Sequence, residues 1–150
     1  MEIKKIPKGV LVLGGINFFV LGFLFLLASF FTYQELSVGG ESLLSEIEKY
    51  IPDAEIQPQQ LKIVILAQMF VAVIFCVSGG GIFYRKEWAR RLTVYFSFFL
   101  VVMAFFSVLT APGLVRQAIL QVIYPGILIF YFTNKKVEKY FIDQKPKEES

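Results

Sequence analysis

The stretch GGGIFYRKEWARR, residues 79–91, combines three glycines, five charged side chains and the only tryptophan of the chain. Such a mixture can form a phosphate-binding loop, in which backbone N–H groups and a lysine hold an anion. That loop requires the spacing Gly-x-x-x-x-Gly-Lys-Ser/Thr between a strand and a helix. Here the glycines precede the basic residues without that spacing and lie at the end of an apolar run. We therefore interpret the stretch as a turn between two membrane helices.

The residue types in this turn suit the surface of a membrane. Glycines allow two helices to approach closely. Tyrosine and tryptophan are amphipathic rings that prefer headgroup depth, and arginine and lysine pair with anionic lipid phosphates. The residues predicted to anchor the turn in the membrane interface are Tyr84, Arg85, Lys86, Trp88, Arg90 and Arg91.

Catalytic and metal-binding chemistry has few other candidates in this sequence. Histidine is absent, and the single cysteine, Cys76, lies within an apolar run. In the segment 35–60, the carboxylates Glu46, Glu48 and Asp53 have neither histidine neighbours nor a regular metal-ligand spacing. We expect no catalytic residue, no metal site and no cofactor, and we expect the protein not to be an enzyme.

The elements that carry these residues are predicted from hydrophobicity and charge. Hydrophobic residues make up 56% of the 150 residues and charged residues 18%, against about 45–50% and about 25% in soluble proteins. A helix that crosses a bilayer needs about 20 apolar residues. Four windows of 18 to 26 residues contain no Asp, Glu, Lys or Arg, namely 9–34, 63–84, 92–115 and 117–134. The sequence therefore predicts an all-α, polytopic membrane protein, a bundle of four transmembrane helices.

The predicted organisation is a single integral membrane domain over residues 1–150. In the first outer loop, the segment ESLLSEIEKYI is expected to form a short amphipathic helix, because its apolar residues recur every three or four positions. This helix is interpreted as a seal over the bundle or, alternatively, as a substrate lid. The predicted boundaries are spans at about 9–34, 62–84, 89–111 and 114–134, an outer loop at 35–60, and a disordered cytoplasmic tail at about 143–150.

The distribution of basic residues predicts the orientation. Four spans place both termini and the 85–91 turn on one side, and that side carries twelve of the fifteen lysines and arginines. Basic residues near helix ends mark the cytoplasmic side of a membrane. We therefore predict a multi-pass protein of the plasma (inner) membrane with both termini in the cytoplasm.

Two further sets of residues concern the interior of the membrane. Small residues recur at intervals of seven, which keeps them on one helix face and suits left-handed crossings. The residues predicted to form helix contacts are Gly15, Gly22, Ser29, Ala72, Gly79, Ser97, Ala104 and Ala111. The intramembrane polar residues are the amides Asn17, Gln68 and Gln121, which cannot relay protons by titration. A proton-coupled transporter is therefore disfavoured.

The turn also carries a family resemblance. The segment from Gly81 to Arg90, with its pattern Gly-x-x-x-x-x-x-Trp-Ala-Arg, resembles the cytoplasmic turn of uncharacterised small prokaryotic four-helix inner-membrane proteins. The resemblance implies a prokaryotic inner-membrane protein of four helices. It implies no active site.

Three functions remain open. The favoured hypothesis is a non-catalytic membrane protein that acts as a structural or interaction partner of itself or of another membrane protein. The alternatives are a channel or facilitator-type transporter subunit, and a protein that binds anionic lipid. The expected partners are membrane lipids, with anionic lipid at the cytoplasmic face, and a membrane protein. No nucleic acid is expected, because the basic tail follows a membrane span.

Overall fold

The structure is a computed structural model that describes residues 6–39, 45, 57–110 and 115–142. Every regular element in these ranges is a helix. The first helix has three consecutive parts: α1, Lys8–Gly15, a π-helical segment, Ile16–Leu24, and α2, Phe25–Val38. The remaining helices are α3, Pro58–Phe83, α4, Glu87–Thr110, α5, Val115–Phe132, and α6, Lys135–Ile142.

Three of these helices are long and apolar enough to cross a membrane. They are Lys8–Val38, Pro58–Phe83 and Glu87–Leu109, with mean hydropathies of 2.6, 2.4 and 2.3. No more than 22% of each apolar window is buried inside the chain. Apolar surface exposed on this scale requires a hydrocarbon solvent, so the fold is that of a helical membrane protein. The apolar part of α5, Ala118–Phe132, is shorter.

The helix ends differ from the predicted boundaries at the first outer loop. The first helix continues to Val38 instead of ending near residue 34, since Leu36 is still buried. It stops at Gly39, whose φ of 141° is open to glycine but strained for other residues. α3 begins at Pro58, four residues before the predicted start, because proline suits the first turn of a helix. The predicted outer-loop helix, apart from Ser45, and the tail at 143–150 lie outside the described residues.

The chain divides into two compact units, and the division falls within the first helix and within α3. One unit is Asn17–Val77. In it the π-helical segment contacts α3: the thiol of Cys76 donates to the carbonyl oxygen of Phe18 at 3.9 Å. A Cβ added to Gly22 would lie 2.5 Å from Cys76 Sγ. Only glycine permits this close contact.

The other unit comprises Met1–Ile16 and Ser78–Ser150. Within it α4 packs against α5, and α6 contacts both helices. α5 contains Pro125, which has no N–H to donate to the carbonyl of Gln121. Proline inside a helix bends it. A bend in α5 is therefore expected near Pro125.

Candidate functional site

The site of greatest chemical interest is the junction where α3, α4, α5 and α6 meet, and it begins at the turn between α3 and α4. The amide of Arg85 donates to the carbonyl of Ile82, and the amide of Lys86 donates to that of Gly81, both at 2.9 Å. These two bonds form a Schellman motif, in which the residue after the helix adopts a left-handed conformation. That residue is Arg85, with φ of 56°. Glycine usually occupies this position, so the arginine is conformationally strained.

Gly81 allows the turn to be tight. A Cβ at this position would lie 2.5 Å from Ala89 Cβ and 3.0 Å from the ring of Trp88. Ala89 is fully buried. Gly81 thus lets the start of α4 fold back onto the end of α3. Its role is structural and not the binding of a phosphate.

The short helix α6 is amphipathic, and its apolar face is buried on the protein. Asn134 caps its first turn, because the Asn134 Oδ1 atom accepts from the amide of Lys136 at 3.0 Å. Val137, Tyr140 and Phe141 are all buried. The ring of Phe141 lies edge to face with that of Phe132 at 6.4 Å. α6 therefore docks onto the end of α5 and leaves its lysines exposed.

Arg90 ties three helices together at this junction. It lies in the first turns of α4 and is only 6% exposed. One terminal nitrogen donates to the carbonyl of Phe132, the last residue of α5, at 2.9 Å. The other pairs with Glu138 of α6 at 2.9 Å. A guanidinium is suited to this position because its donors form a rigid fork and its charge offsets the negative end of a helix.

The strained Arg85 and the buried Tyr140 interact across the same junction. The guanidinium of Arg85 lies over the Tyr140 ring, 5.6 Å from its centroid, as in a cation–π contact. Burial raises the pKa of the Tyr140 phenol, an effect that the charge of Arg85 opposes. The Tyr140 hydroxyl is buried and has no hydrogen-bond partner among the described residues. This contact gives the strained arginine a packing role.

The predicted membrane-interface residues divide into two groups in the structure. Tyr84 and Trp88 are 79% and 51% exposed, and Lys86 and Arg91 are exposed as well. Their anchor role stays a prediction. Arg90 is instead buried against Glu138 and a backbone carbonyl, and its anchor role likewise stays a prediction. Arg85 is half-buried and directed onto the Tyr140 ring.

Most of the residues predicted to form helix contacts are buried. Those that are buried are Gly22, Ser29, Ala72, Gly79, Ser97 and Ala104. Gly15 is half-buried, and a Cβ there would meet only the ring of Phe83, at 3.9 Å. Ala111 lies outside the described residues.

The three amides have different surroundings. Asn17 is fully buried at the start of the π-helical segment. Gln68 of α3 and Gln121 of α5 are exposed. Their neighbours are apolar and exposed too, for example Leu66 and Leu120 at 50% and 65%. Each glutamine thus places a polar group on an otherwise apolar helix surface.

A lateral groove of about 390 Å³ lies between α4 and α5. Four residues of α4, from Val101 to Val108, and five of α5, from Val115 to Ile123, line it, and all nine are apolar. Every lining residue of α5 precedes Pro125, so the groove belongs to one half of the α4–α5 contact. It offers no side-chain donor or acceptor to a polar ligand.

Neither the junction nor the groove is predicted by the sequence. Glu138 contributes a carboxylate to the junction and Phe132 a backbone carbonyl, and neither residue belongs to a sequence motif. The apolar spacing of Val137, Tyr140 and Phe141 is the one sequence signal that α6 folds back onto an apolar surface. Across residues 6–39, 57–110 and 115–142, no three acidic or cysteine side chains come together as metal ligands would.

Comparison with known proteins adds no family to this description. No protein-family model matches the chain, and no curated protein and no solved structure is significantly similar to it. The resemblance of the 81–90 turn to small prokaryotic membrane proteins therefore stays an expectation.

Proposed function

We propose that the chain crosses the membrane four times and that α5 is the fourth crossing. α5 has 18 residues, a length of about 27 Å at 1.5 Å per residue, close to the hydrocarbon thickness of about 30 Å. Residues 117–134 contain no charged side chain. Four crossings form one integral membrane domain with both termini on the same side.

The orientation places both termini and the turn at Arg85 and Lys86 in the cytoplasm. Support comes from the twelve basic residues that four crossings collect on that side, against three on the other. In a prokaryotic cell this membrane is the plasma (inner) membrane.

The function supported best is a non-catalytic one: contact with a second copy of the chain or with another membrane protein. The observation that carries it is the exposure of Gln68 and Gln121 on apolar helix surfaces. By helix rise, they lie about 9 Å beyond Lys62 and about 8 Å beyond Arg116, the last charged residues before them. An amide at that depth lacks water, and hydrogen bonds between helices of associating chains satisfy such groups.

Replacement of the amides tests this function. Gln68→Leu and Gln121→Leu should each reduce chemical crosslinking of the protein to its partner, or its dimer fraction in native mass spectrometry. A reduction of about threefold corresponds to the loss of one interhelical hydrogen bond worth about 0.6 kcal/mol. Gln59→Leu is the matched control, because Gln59 is an exposed glutamine in the first turn of α3.

The same variants distinguish association with a partner from the alternative function of a channel. In that case the amides line a wet path, and replacing them changes solute or ion flux in reconstituted vesicles. Flux through the native protein that disappears in Gln68→Leu, with association unchanged, would overturn the non-catalytic, non-transporting function.

A second function, binding of anionic lipid at the cytoplasmic face, is favoured by the charges around the junction. Lys135, Lys136 and Lys139 are exposed on α6. Among the described residues, the acidic ones nearby are Glu87 and Glu138, and these are already paired with Arg91 and Arg90. The exposed charge of this surface is thus positive, which attracts anionic headgroups by about 1 kcal/mol per basic residue. In detergent solution the protein should bind phosphatidylglycerol more tightly than phosphatidylcholine, and added salt should reduce the difference.

A further inference from the structure

We propose that the groove between α4 and α5 is a binding site for one acyl chain of a phospholipid, whose phosphate is held by Arg116. This inference rests on the membrane-spanning arrangement proposed above, but not on the association of the chain with a partner. It concerns the half of the membrane opposite the cytoplasmic junction.

The lining of the groove selects the chemical class of its occupant. All nine lining residues are apolar, so a polar solute would lose its hydration without gaining a hydrogen bond. An apolar chain has no hydrogen-bonded hydration to lose when it enters the groove. Ala104 and Ala118, both buried, have the smallest side chains of the lining, and the larger Phe105 and Ile119 stand exposed beside them. These side chains of different size form a groove that runs along the helices, not a flat face.

The dimensions of the groove fit a lipid chain better than a protein helix. From Val115 to Ile123 the groove is about 12 Å long, and half of a hydrocarbon core is about 15 Å. An acyl chain of one leaflet therefore runs alongside its full length. Spread over about 12 Å, the 390 Å³ of the groove corresponds to a cross-section of about 33 Å², enough for one acyl chain. A helix about 10–12 Å wide would enter the groove only with one row of its side chains.

Arg116 supplies the charge that a phospholipid requires. It is exposed and follows Val115, the first lining residue of α5. Ile119 and Ile123 are three and seven residues further on, so the three side chains share one face of the helix. Arginine is the side chain best suited to bind phosphate through paired hydrogen bonds. A chain in the groove and a phosphate at Arg116 thus belong to one and the same lipid.

Photolabelling of the unmodified protein tests the chain-binding part of the proposal. The protein is placed in nanodiscs of phosphatidylglycerol that contain a trace of a phosphatidylglycerol with a diazirine in its acyl chain. Mass spectrometry then locates the label. Two pairs of adjacent, similarly exposed residues provide the comparison, Phe105 with Phe106 and Ile119 with Leu120. The first residue of each pair lines the groove and the second does not. We expect at least fivefold more label on the lining residue of each pair.

Variants test the two ends of the lipid separately. Ala118→Leu narrows the groove at its buried floor and should reduce the difference between Ile119 and Leu120. Arg116→Gln should reduce phosphatidylglycerol that remains bound in native mass spectrometry by at least threefold. Lys62→Gln, at the other described cation near the outer ends of the helices, should leave it unchanged.

Three outcomes would overturn the proposal. Equal labelling within both pairs means that the groove holds only bulk lipid. Label on Phe106 and Leu120 but none on Phe105 and Ile119 means that a second copy or a partner fills it. Unchanged lipid retention in Arg116→Gln removes the phosphate contact. Extraction of the protein by alkaline carbonate would instead disprove the membrane-spanning arrangement itself, and loss of association in the glutamine variants bears only on the proposed function.

Discussion

Arg90 and Arg91 are adjacent in the sequence, yet their side chains have opposite environments. Arg90 is buried and bonds both the end of α5 and Glu138 of α6. Arg91 is 58% exposed and pairs with Glu87, one helical turn earlier. Exposed pairs of this kind contribute little, since water and salt screen them. A buried charge that loses its partners is far more costly.

The two arginines therefore predict different stabilities. Arg90→Gln should lower the free energy of unfolding in detergent by about 2–3 kcal/mol, because hydrogen bonds to charged groups are worth about 1.5–3 kcal/mol. Arg91→Gln should change it by less than about 0.5 kcal/mol. The fluorescence of Trp88, the only tryptophan, reports the unfolding. Equal effects of the two substitutions would show that Arg90 does not hold the junction.

Arg85 gives a second prediction at the residue scale, about backbone strain. Its φ of 56° costs a residue with a side chain about 1–2 kcal/mol relative to glycine. Arg85→Ala keeps that strain and loses the contact with Tyr140, whereas Arg85→Gly loses the contact but relieves the strain. The glycine variant should thus be more stable than the alanine variant by about 1 kcal/mol in the same unfolding assay. The reverse order would mean that the turn has a different backbone conformation.

At the scale of the elements, the π-helical segment decides how the first helix contacts α3. In a π-helix the hydrogen bonds join residues five apart, and a Cβ on Gly22 would accordingly lie 2.9 Å from the carbonyl oxygen of Asn17. It would also lie 2.8 Å from the backbone nitrogen of Cys76. Both atoms belong to the backbone and cannot rotate away. The glycine is thus enclosed on the side of its own helix and on that of α3.

Gly22→Ala should consequently destabilise the protein by about 1–3 kcal/mol, the usual cost of overpacking. Gly126→Ala is the matched control, since a Cβ at Gly126 has no atom within 4 Å. That substitution should be neutral or stabilise by up to about 1 kcal/mol, because alanine is the better helix former. Thermal unfolding in detergent, followed by circular dichroism, measures both. A harmless Gly22→Ala would exclude the close contact with Cys76.

At the scale of the whole molecule, charge and hydrophobicity assign the parts of the chain to membrane and water. The described charged side chains lie within two turns of the ends of the long helices, in the turns between helices or on α6. The long helices expose apolar surface to hydrocarbon between them. The proposed orientation follows from the uneven division of lysine and arginine between the two ends. Its consequence is that the two ends of α3 lie on opposite sides of the membrane.

Cysteine labelling tests this orientation. In a Cys76→Ser background, Gln57→Cys should react with an impermeant thiol reagent on intact cells, and Lys86→Cys only after the membrane is opened. Both positions are exposed, so a difference in labelling reflects sidedness and not burial. Labelling of position 86 but not of position 57 on intact cells would reverse the proposed topology.

Part of the fold was predictable because the bilayer imposes its own length on the sequence. The uncharged windows at 9–34, 63–84 and 92–115 correspond to the three helices that are long enough to cross. The helices extend beyond the predicted spans at Val38 and at Pro58, since charge marks the edge of the hydrocarbon and not the end of a helix. The π-helical segment has no sequence signal at all, although it contains Gly22, which lies against Cys76 of α3.

The candidate sites were likewise predictable only in part. The sequence by itself determined that the chain is helical, that its long helices are apolar, and that a basic turn joins α3 to α4, because these properties depend on residue type and local order. Only the tertiary structure decided that Arg90 is buried while Arg91 is exposed, and that α4 and α5 leave a groove before Pro125. The reason is physical: burial and cavities arise from the mutual placement of residues such as Arg90 and Glu138, which are 48 positions apart in the chain, and no local pattern encodes that distance.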